Sequence, residues 1–143
     1  MVVGLLPFRY RPVCSQVNTP SEHRSETILV IDDEPSVRTL IEKILTMRGY
    51  AVLAASDAEE ALRISGDHEV DAVVTDIMLP SMRGPELVEK LRLHRPQLRA
   101  LFISGFTADA LVDGGLSPDD VAFVQKPFTG EALTERLREL LDG

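Results

Sequence analysis

Thr27-Ile28-Leu29-Val30-Ile31-Asp32-Asp33-Glu34-Pro35 holds a whole strand and the start of a helix. The apolar, largely β-branched run does not alternate, as in a strand buried on both faces, and it stops at two adjacent acids. Three more stretches repeat the arrangement. Ala72-Val73-Val74 leads to Asp76-Ile77-Met78-Leu79-Pro80, Leu101-Phe102-Ile103 to Ser104-Gly105, and Val121 to Val124 to Gln125-Lys126-Pro127-Phe128. If the four strands run parallel, the carboxylates of Asp32, Asp33 and Asp76, the Ser104 hydroxyl and the Lys126 ammonium emerge at one sheet edge. Open α/β sheets bind ligands beyond that carboxyl edge. Three acids gathered there repel one another unless a cation joins them, so the pattern asks for a hard divalent metal. Lys126 then supplies a second positive charge for an anion on that metal.

The rest of the chain fits one doubly wound α/β domain. Its 143 residues suffice to bury a sizeable core. Strand and helix patterns alternate five times from Thr27 onward, with short connections. A first helix over Pro35 to Arg48 places Val37, Leu40, Ile41, Ile44 and Leu45 on one stripe, with Pro35 in its first turn and Gly49 at its end. Ala51 to Ala55 reads as a strand, and Asp57 with Glu60 as the capped start of a second helix. Gly84-Pro85 opens a helix carrying Leu87, Val88 and Leu91 that stops before Pro96. Thr107 to Leu116 reads as a short or irregular helix ended by Gly114-Gly115. Thr129 caps a last helix with Leu133, Leu137, Leu140 and Leu141 inward. Residues 1–26, with Pro7, Pro12 and Pro20 and no periodicity, read as a mobile tail or linker, leaving 27–143 as the domain.

Charge and composition exclude several classes. The chain carries 15 Lys plus Arg against 23 Asp plus Glu, a net −8. The first 26 residues hold three Arg and two Glu, which leaves 12 basic and 21 acidic residues in 27–143, or −9. An acidic body without tryptophan or a basic stripe argues against direct nucleic-acid binding. The single Cys14 forms no internal disulfide, and no Cys-x-x-Cys pair is present. The apolar start Met1–Phe8 is too short to span a bilayer and is followed by Arg9, so no membrane association and a cytoplasmic place are expected. His23, His68 and His94 form no metal or triad spacing, and no Gly-rich phosphate loop occurs.

The four motifs, in this order and spacing, resemble the receiver domain of response regulators, over roughly residues 27–143. The shapes Ser104-Gly105-Phe106-Thr107 and Phe123 to Thr129 look most like receivers at the carboxyl end of hybrid sensor kinases. The resemblance implies a flavodoxin-like (βα)5 sandwich with a parallel sheet in the order 2-1-3-4-5. It makes Asp76 the phosphoacceptor, a carboxylate nucleophile that takes a phosphoryl group from a phosphohistidine. Mg²⁺ would be held by Asp33, Asp76 and the Met78 backbone carbonyl, with Asp32 acting mainly through a water; retained waters and few carboxylates suit that ion. Lys126, before a Pro127 whose peptide is typically cis in receivers, would neutralise the incoming phosphoryl charge. Ser104 would donate to a phosphoryl oxygen and, with Phe123, form a two-state switch. The implied partners are a histidine kinase or histidine phosphotransfer protein and a downstream protein target.

Each residue also has a plainer use. Asp76 could cap a turn, Asp32 and Asp33 could cap the first helix, Lys126 could be solvated, and Phe123 could be a core aromatic. Their coincidence at one edge favours the receiver reading. Arg83, where many receivers carry an acid, and Leu79, where methionine is frequent, are the departures. Two other functions compete. A haloacid-dehalogenase-like phosphohydrolase also forms an aspartyl phosphate, but carries a second aspartate two residues on, where this chain has Met78. A degenerate receiver would bind partners without phosphorylation, against the complete acid set with Ser104 and Lys126.

Overall fold

A computed structural model of the chain describes residues 26–105 and 122–142. Residues 1–25 of the expected tail and the expected helix over Thr107 to Leu116 lie outside the described residues. Five strands form one sheet: β1 (Thr27–Ile31), β2 (Ala51–Ala55), β3 (Ala72–Asp76), β4 (Arg99–Ser104) and β5 (Ala122–Gln125). All pairs are parallel and the order is 2-1-3-4-5. Among the described residues four helices cover it: α1 (Pro35–Met47), α2 (Ala58–Asp67), α3 (Gly84–Arg92) and α4 (Gly130–Asp142).

The unbroken apolar strands have two faces to bury, and both are used. Leu29, Ile31, Val73 and Phe102 pack with Ala58, Ala61, Leu87, Val88 and Leu91 from α2 and α3. Ile28, Val30, Val74, Leu101 and Ile103 pack with Ile41 and Leu45 of α1 and Leu133 and Leu137 of α4. Each fully buried leucine contributes about 2 kcal/mol of transfer free energy. One position of the expected α1 stripe departs. Leu40 is 49% exposed, because it lies at the flank of the stripe centred on Ile41 and Ile44, turned beyond the reach of the sheet.

Local chemistry sets the helix ends. Gly49, at φ +94°, ends α1 in a conformation that side chains rarely adopt. Asp57 Oδ1 accepts from the Glu60 amide at 2.8 Å, while Glu60 Oε1 reaches one residue further back than a capping box, to the amide and hydroxyl of Ser56. The Thr129 hydroxyl oxygen accepts from the Ala132 amide at 3.0 Å. Carboxyl ends of helices are held by arginines from elsewhere. Arg95 donates to the Ser65 carbonyl at 2.8 Å and to the His68 carbonyl at the end of α2. Arg99, the first residue of β4, donates to the carbonyls of Leu140, at 2.7 Å, and Leu141 in α4. Neither helix has a basic residue in its last turn, so these remote cations satisfy carbonyls that would otherwise lack partners.

Arg138 joins three elements at the sheet's amino edge. It donates to Glu26 at 3.0 Å, to Asp142 at 3.0 Å and to the buried Tyr50 hydroxyl at 3.0 Å. Its side chain is 45% exposed, so solvent screens much of each ion pair. Arg138→Ala is expected to lower stability by about 1 kcal/mol, most of it from the stranded tyrosine hydroxyl. Urea denaturation checks this, and a loss within error of zero would refute a role for the network.

Candidate functional site

The parallel sheet delivers the ends of β1, β3, β4 and β5 to one edge, and the sequence-predicted residues sit on them. Asp76 is the last residue of β3. Its Oδ2 accepts from Lys126 Nζ at 2.8 Å and its Oδ1 from the Met78 amide at 3.0 Å. The Asp76 carbonyl accepts from the Thr75 hydroxyl at 3.0 Å. Sheet register continues past the strand through the Ile77 amide to the Ile103 carbonyl, 3.1 Å. The loop then folds back: Met78 and Arg83 pair as an isolated antiparallel bridge, and the Gly84 amide donates to the Ile77 carbonyl at 2.7 Å. This fold-back presses α3's first residue against the acceptor's main chain.

Asp32 follows β1 and is 1% exposed. Its amide donates to the Ala55 carbonyl at 3.2 Å, and its carbonyl accepts from Arg38 Nη1 at 2.7 Å. Oδ1 accepts from the Glu34 amide at 2.9 Å, which turns the chain into α1. Oδ2 is buried without a hydrogen-bond partner, and Lys126 Nζ stands 3.7 Å from it. Burial pushes the Asp32 carboxyl above its ordinary range; the Glu34 amide and the Lys126 charge offset this in part, and the Asp76 and Asp33 charges add to it.

Lys126 is therefore one cation between two acids. Its amide donates to the Ser104 carbonyl at 2.7 Å, and the Lys126–Pro127 peptide is cis. Burial alone would lower the ammonium's pKa, but the hydrogen bond and charge of Asp76, with the charge of Asp32, outweigh burial and raise it. Ser104 is buried at the end of β4, opposite Gln125 in the register. Among the described residues, nothing lies within 4 Å of a Cβ built on neighbouring Gly105.

Three expected residues stand less directly in the cluster. Asp33 is exposed, Met78 is 49% exposed, and Phe123 lies half-buried on β5, opposite Phe102 and against the α2–α3 side of the core. Among the described residues no three acidic, histidine or cysteine side chains converge closely enough to enclose an ion. The donor set nevertheless fits one. A buried carboxylate oxygen without a hydrogen-bond partner, beside a second carboxylate and a third exposed acid, is what a hard cation satisfies. The sequence pattern did not single out Arg38 or Thr75, whose roles are contacts to main-chain carbonyls.

The family model of the response regulator receiver domain matches residues 28–138. The chain belongs to that family. Among relatives of the receiver, the sensor kinase CckA of Brucella abortus is 36% identical over 120 residues, 82% of this chain and 13% of the kinase. The probable transcriptional regulatory protein TcrX of Mycobacterium tuberculosis is 36% identical over 80% of this chain and 49% of its own length. The receiver thus spans about half or less of these relatives. Among solved structures, the receiver domain of the hybrid histidine kinase CckA superposes with TM-score 0.67 at 33% identity, covering 80% of this chain and 98% of that one. The response regulator TrrA of Thermotoga maritima, in complex with Mg²⁺–BeF, gives TM-score 0.69 at 27% identity, covering 81% and 99%. The expected likeness to hybrid-kinase receivers is borne out, and the sheet order is that of a CheY-like receiver from Methanospirillum hungatei, TM-score 0.71 at 28% identity over 83% of this chain and 95% of that one.

The raised Asp32 carboxyl has a pH consequence. With its folded pKa above the unfolded one, ionised Asp32 costs stability at neutral pH, and the deficit is relieved as pH falls through the folded pKa. Asp32→Asn is expected to melt a few degrees higher than wild type in EDTA at neutral pH. The gain should shrink as pH falls toward about 4, the ordinary carboxylate value. Thermal unfolding across pH measures it, and a variant less stable than wild type at neutral pH would contradict it.

Proposed function

We propose that this receiver takes a phosphoryl group on Asp76 from the phosphohistidine of a histidine kinase or histidine phosphotransfer protein, and that the change alters binding of a downstream protein. The observation carrying this reading is the Lys126 ammonium, 2.8 Å from Asp76 Oδ2 and 3.7 Å from Asp32 Oδ2, a buried oxygen without a hydrogen-bond partner. An Asp76 carboxylate oxygen attacks phosphorus, the bond from phosphorus to the imidazole nitrogen breaks, and its electron pair stays on the imidazole. Lys126 stabilises the charge on the phosphoryl oxygens, and the Ser104 hydroxyl donates to one of them. Asp32, Asp33, Asp76 and the Met78 carbonyl would hold Mg²⁺, which neutralises acid and phosphoryl charge when bound. Ser104 and Phe123 shift together afterwards, biasing two conformations already in equilibrium.

The domain acts as a binding switch and turns over no substrate. Met78, two residues after Asp76, supplies no second acid of the kind a haloacid-dehalogenase-like phosphatase uses. Its acidic surface contacts proteins and not nucleic acid directly. No described helix is long and apolar enough to cross a membrane, and the cytoplasm is the proposed compartment. Residues 1–26 serve as a tail or linker to the domain at 27–143. Intact mass spectrometry after incubation with acetyl phosphate tests the reading. One phosphoryl group should appear with Mg²⁺ and none with EDTA; uptake in neither condition, or equally in both, would overturn it.

A further inference from the structure

Helix α1 begins with a mismatch. Its first turn holds no acid, and its N-cap Glu34 makes no side-chain capping bond. Arg38, its fourth residue, instead sets a cation near the positive end of the helix dipole, where carboxylates are preferred. Arginine is a good helix former, so propensity accommodates it, but its charge at this position runs against the dipole. A local rule broken beside a site points to a task outside the helix.

Arg38 reaches back to the end of β1, where its Nη1 donates to the Asp32 carbonyl at 2.7 Å. Oδ1 of the same residue is separately taken by the Glu34 amide at 2.9 Å. Each contact alone leaves a rotation open. The amide bond orients the carboxylate relative to the turn, but the peptide after Asp32 can still swing; the guanidinium removes that freedom. With both atoms held, Oδ2 is the one carboxylate oxygen left, buried and without a hydrogen-bond partner. A half-buried arginine makes such an anchor firmer than a solvated one, since water competes less for the carbonyl.

We propose that Arg38 is a positioning residue for the metal pocket, holding the Asp32 main chain so that Oδ2 is presented to the cation. The inference rests on the reading of Asp32 as part of a Mg²⁺ pocket. The role requires no contact of Arg38 with the ion or the phosphoryl group. It acts through the backbone, as partners behind metal ligands do.

Isothermal calorimetry with MgCl₂ on wild type, Arg38→Met and Arg38→Lys tests it, alongside thermal unfolding of each protein in EDTA. Methionine and lysine are both good helix formers, so α1 should persist in both variants. Arg38→Met should bind Mg²⁺ about tenfold more weakly, the low end of losses for groups behind a ligand. Its metal-free melting temperature should stay within a few degrees of wild type. Arg38→Lys keeps an N–H donor on a shorter reach and should fall between the two. Wild-type affinity in Arg38→Met, or an Arg38→Lys no better than Arg38→Met, would overturn the positioning role. A fall in melting temperature with unchanged affinity would do the same, reducing Arg38 to a structural contact. Wild type that binds no Mg²⁺ at all is a separate result, which removes the metal pocket and this inference together.

Discussion

Asp76→Asn is expected to take up no phosphoryl group from acetyl phosphate under conditions that modify the wild type fully. The substitution keeps size and shape, and the amide oxygen can still accept from the Met78 amide that Oδ1 accepts from now, at 3.0 Å. What it loses is the charged oxygen that faces Lys126 at 2.8 Å. An amide is a poor nucleophile, and its NH₂ group would point donors at an ammonium. Lys126 would remain near Asp32 Oδ2, 3.7 Å away, so the variant should stay within about 1 kcal/mol of wild-type stability. Intact mass and urea denaturation of the same preparation separate chemistry from folding. Equal phosphate uptake by variant and wild type would move the acceptor away from Asp76.

Gly84→Ala should carry the largest stability loss of any single methyl added near the site. A Cβ at Gly84 would lie 2.3 Å from the Asp76 carbonyl oxygen and 3.2 Å from both the Asp76 carbonyl carbon and Ile77 Cα. All three are main-chain atoms, so no side chain can rotate away. At an ordinary helix start alanine would be favoured over glycine by up to about 1 kcal/mol. Here overpacking reverses the sign, with an expected net loss of about 2–3 kcal/mol. Relief requires moving the Asp76 carbonyl or parting α3 from the loop, and either shifts the carboxylate against Lys126. Phosphate uptake should therefore slow in the fraction that remains folded. Equal or greater stability in urea would refute the argument.

Much of this was legible in the sequence for definite reasons. The strands were readable because a sheet buried on both faces leaves little room for polar residues, so Ile28 to Ile31 and Ala72 to Val74 stand out. Their parallel edge then grouped Asp32, Asp76, Ser104 and Lys126 before any geometry was known. Pro35, Gly49, Asp57 and Thr129 marked helix ends through backbone chemistry that acts locally. Leu40 was misplaced because a 3.6-residue stripe has soft edges, and only the width of the facing sheet decides which flank is covered. Arg38, Arg95 and Thr75 stayed hidden because they act on carbonyl oxygens. Every residue has that group, so sequence carries no mark of which one is bound. Gly84 was visible as a helix opener, yet its close approach to Asp76 belongs to the fold-back of the loop, which no spacing encodes.

The fastening of α4 by Arg99 bears on how such domains can be recombined. The bonds run from the first residue of β4 to Leu140 and Leu141, more than forty positions along the chain. A chimaera that trades the final strand and helix between two receivers, with its crossover after β4, would keep the arginine and import a helix whose closing carbonyls never evolved against it. Matching the leucines of the inner face would not repair that seam. The exchangeable unit is therefore not a contiguous piece of chain but a helix together with the residue, some forty positions earlier, that ties off its end.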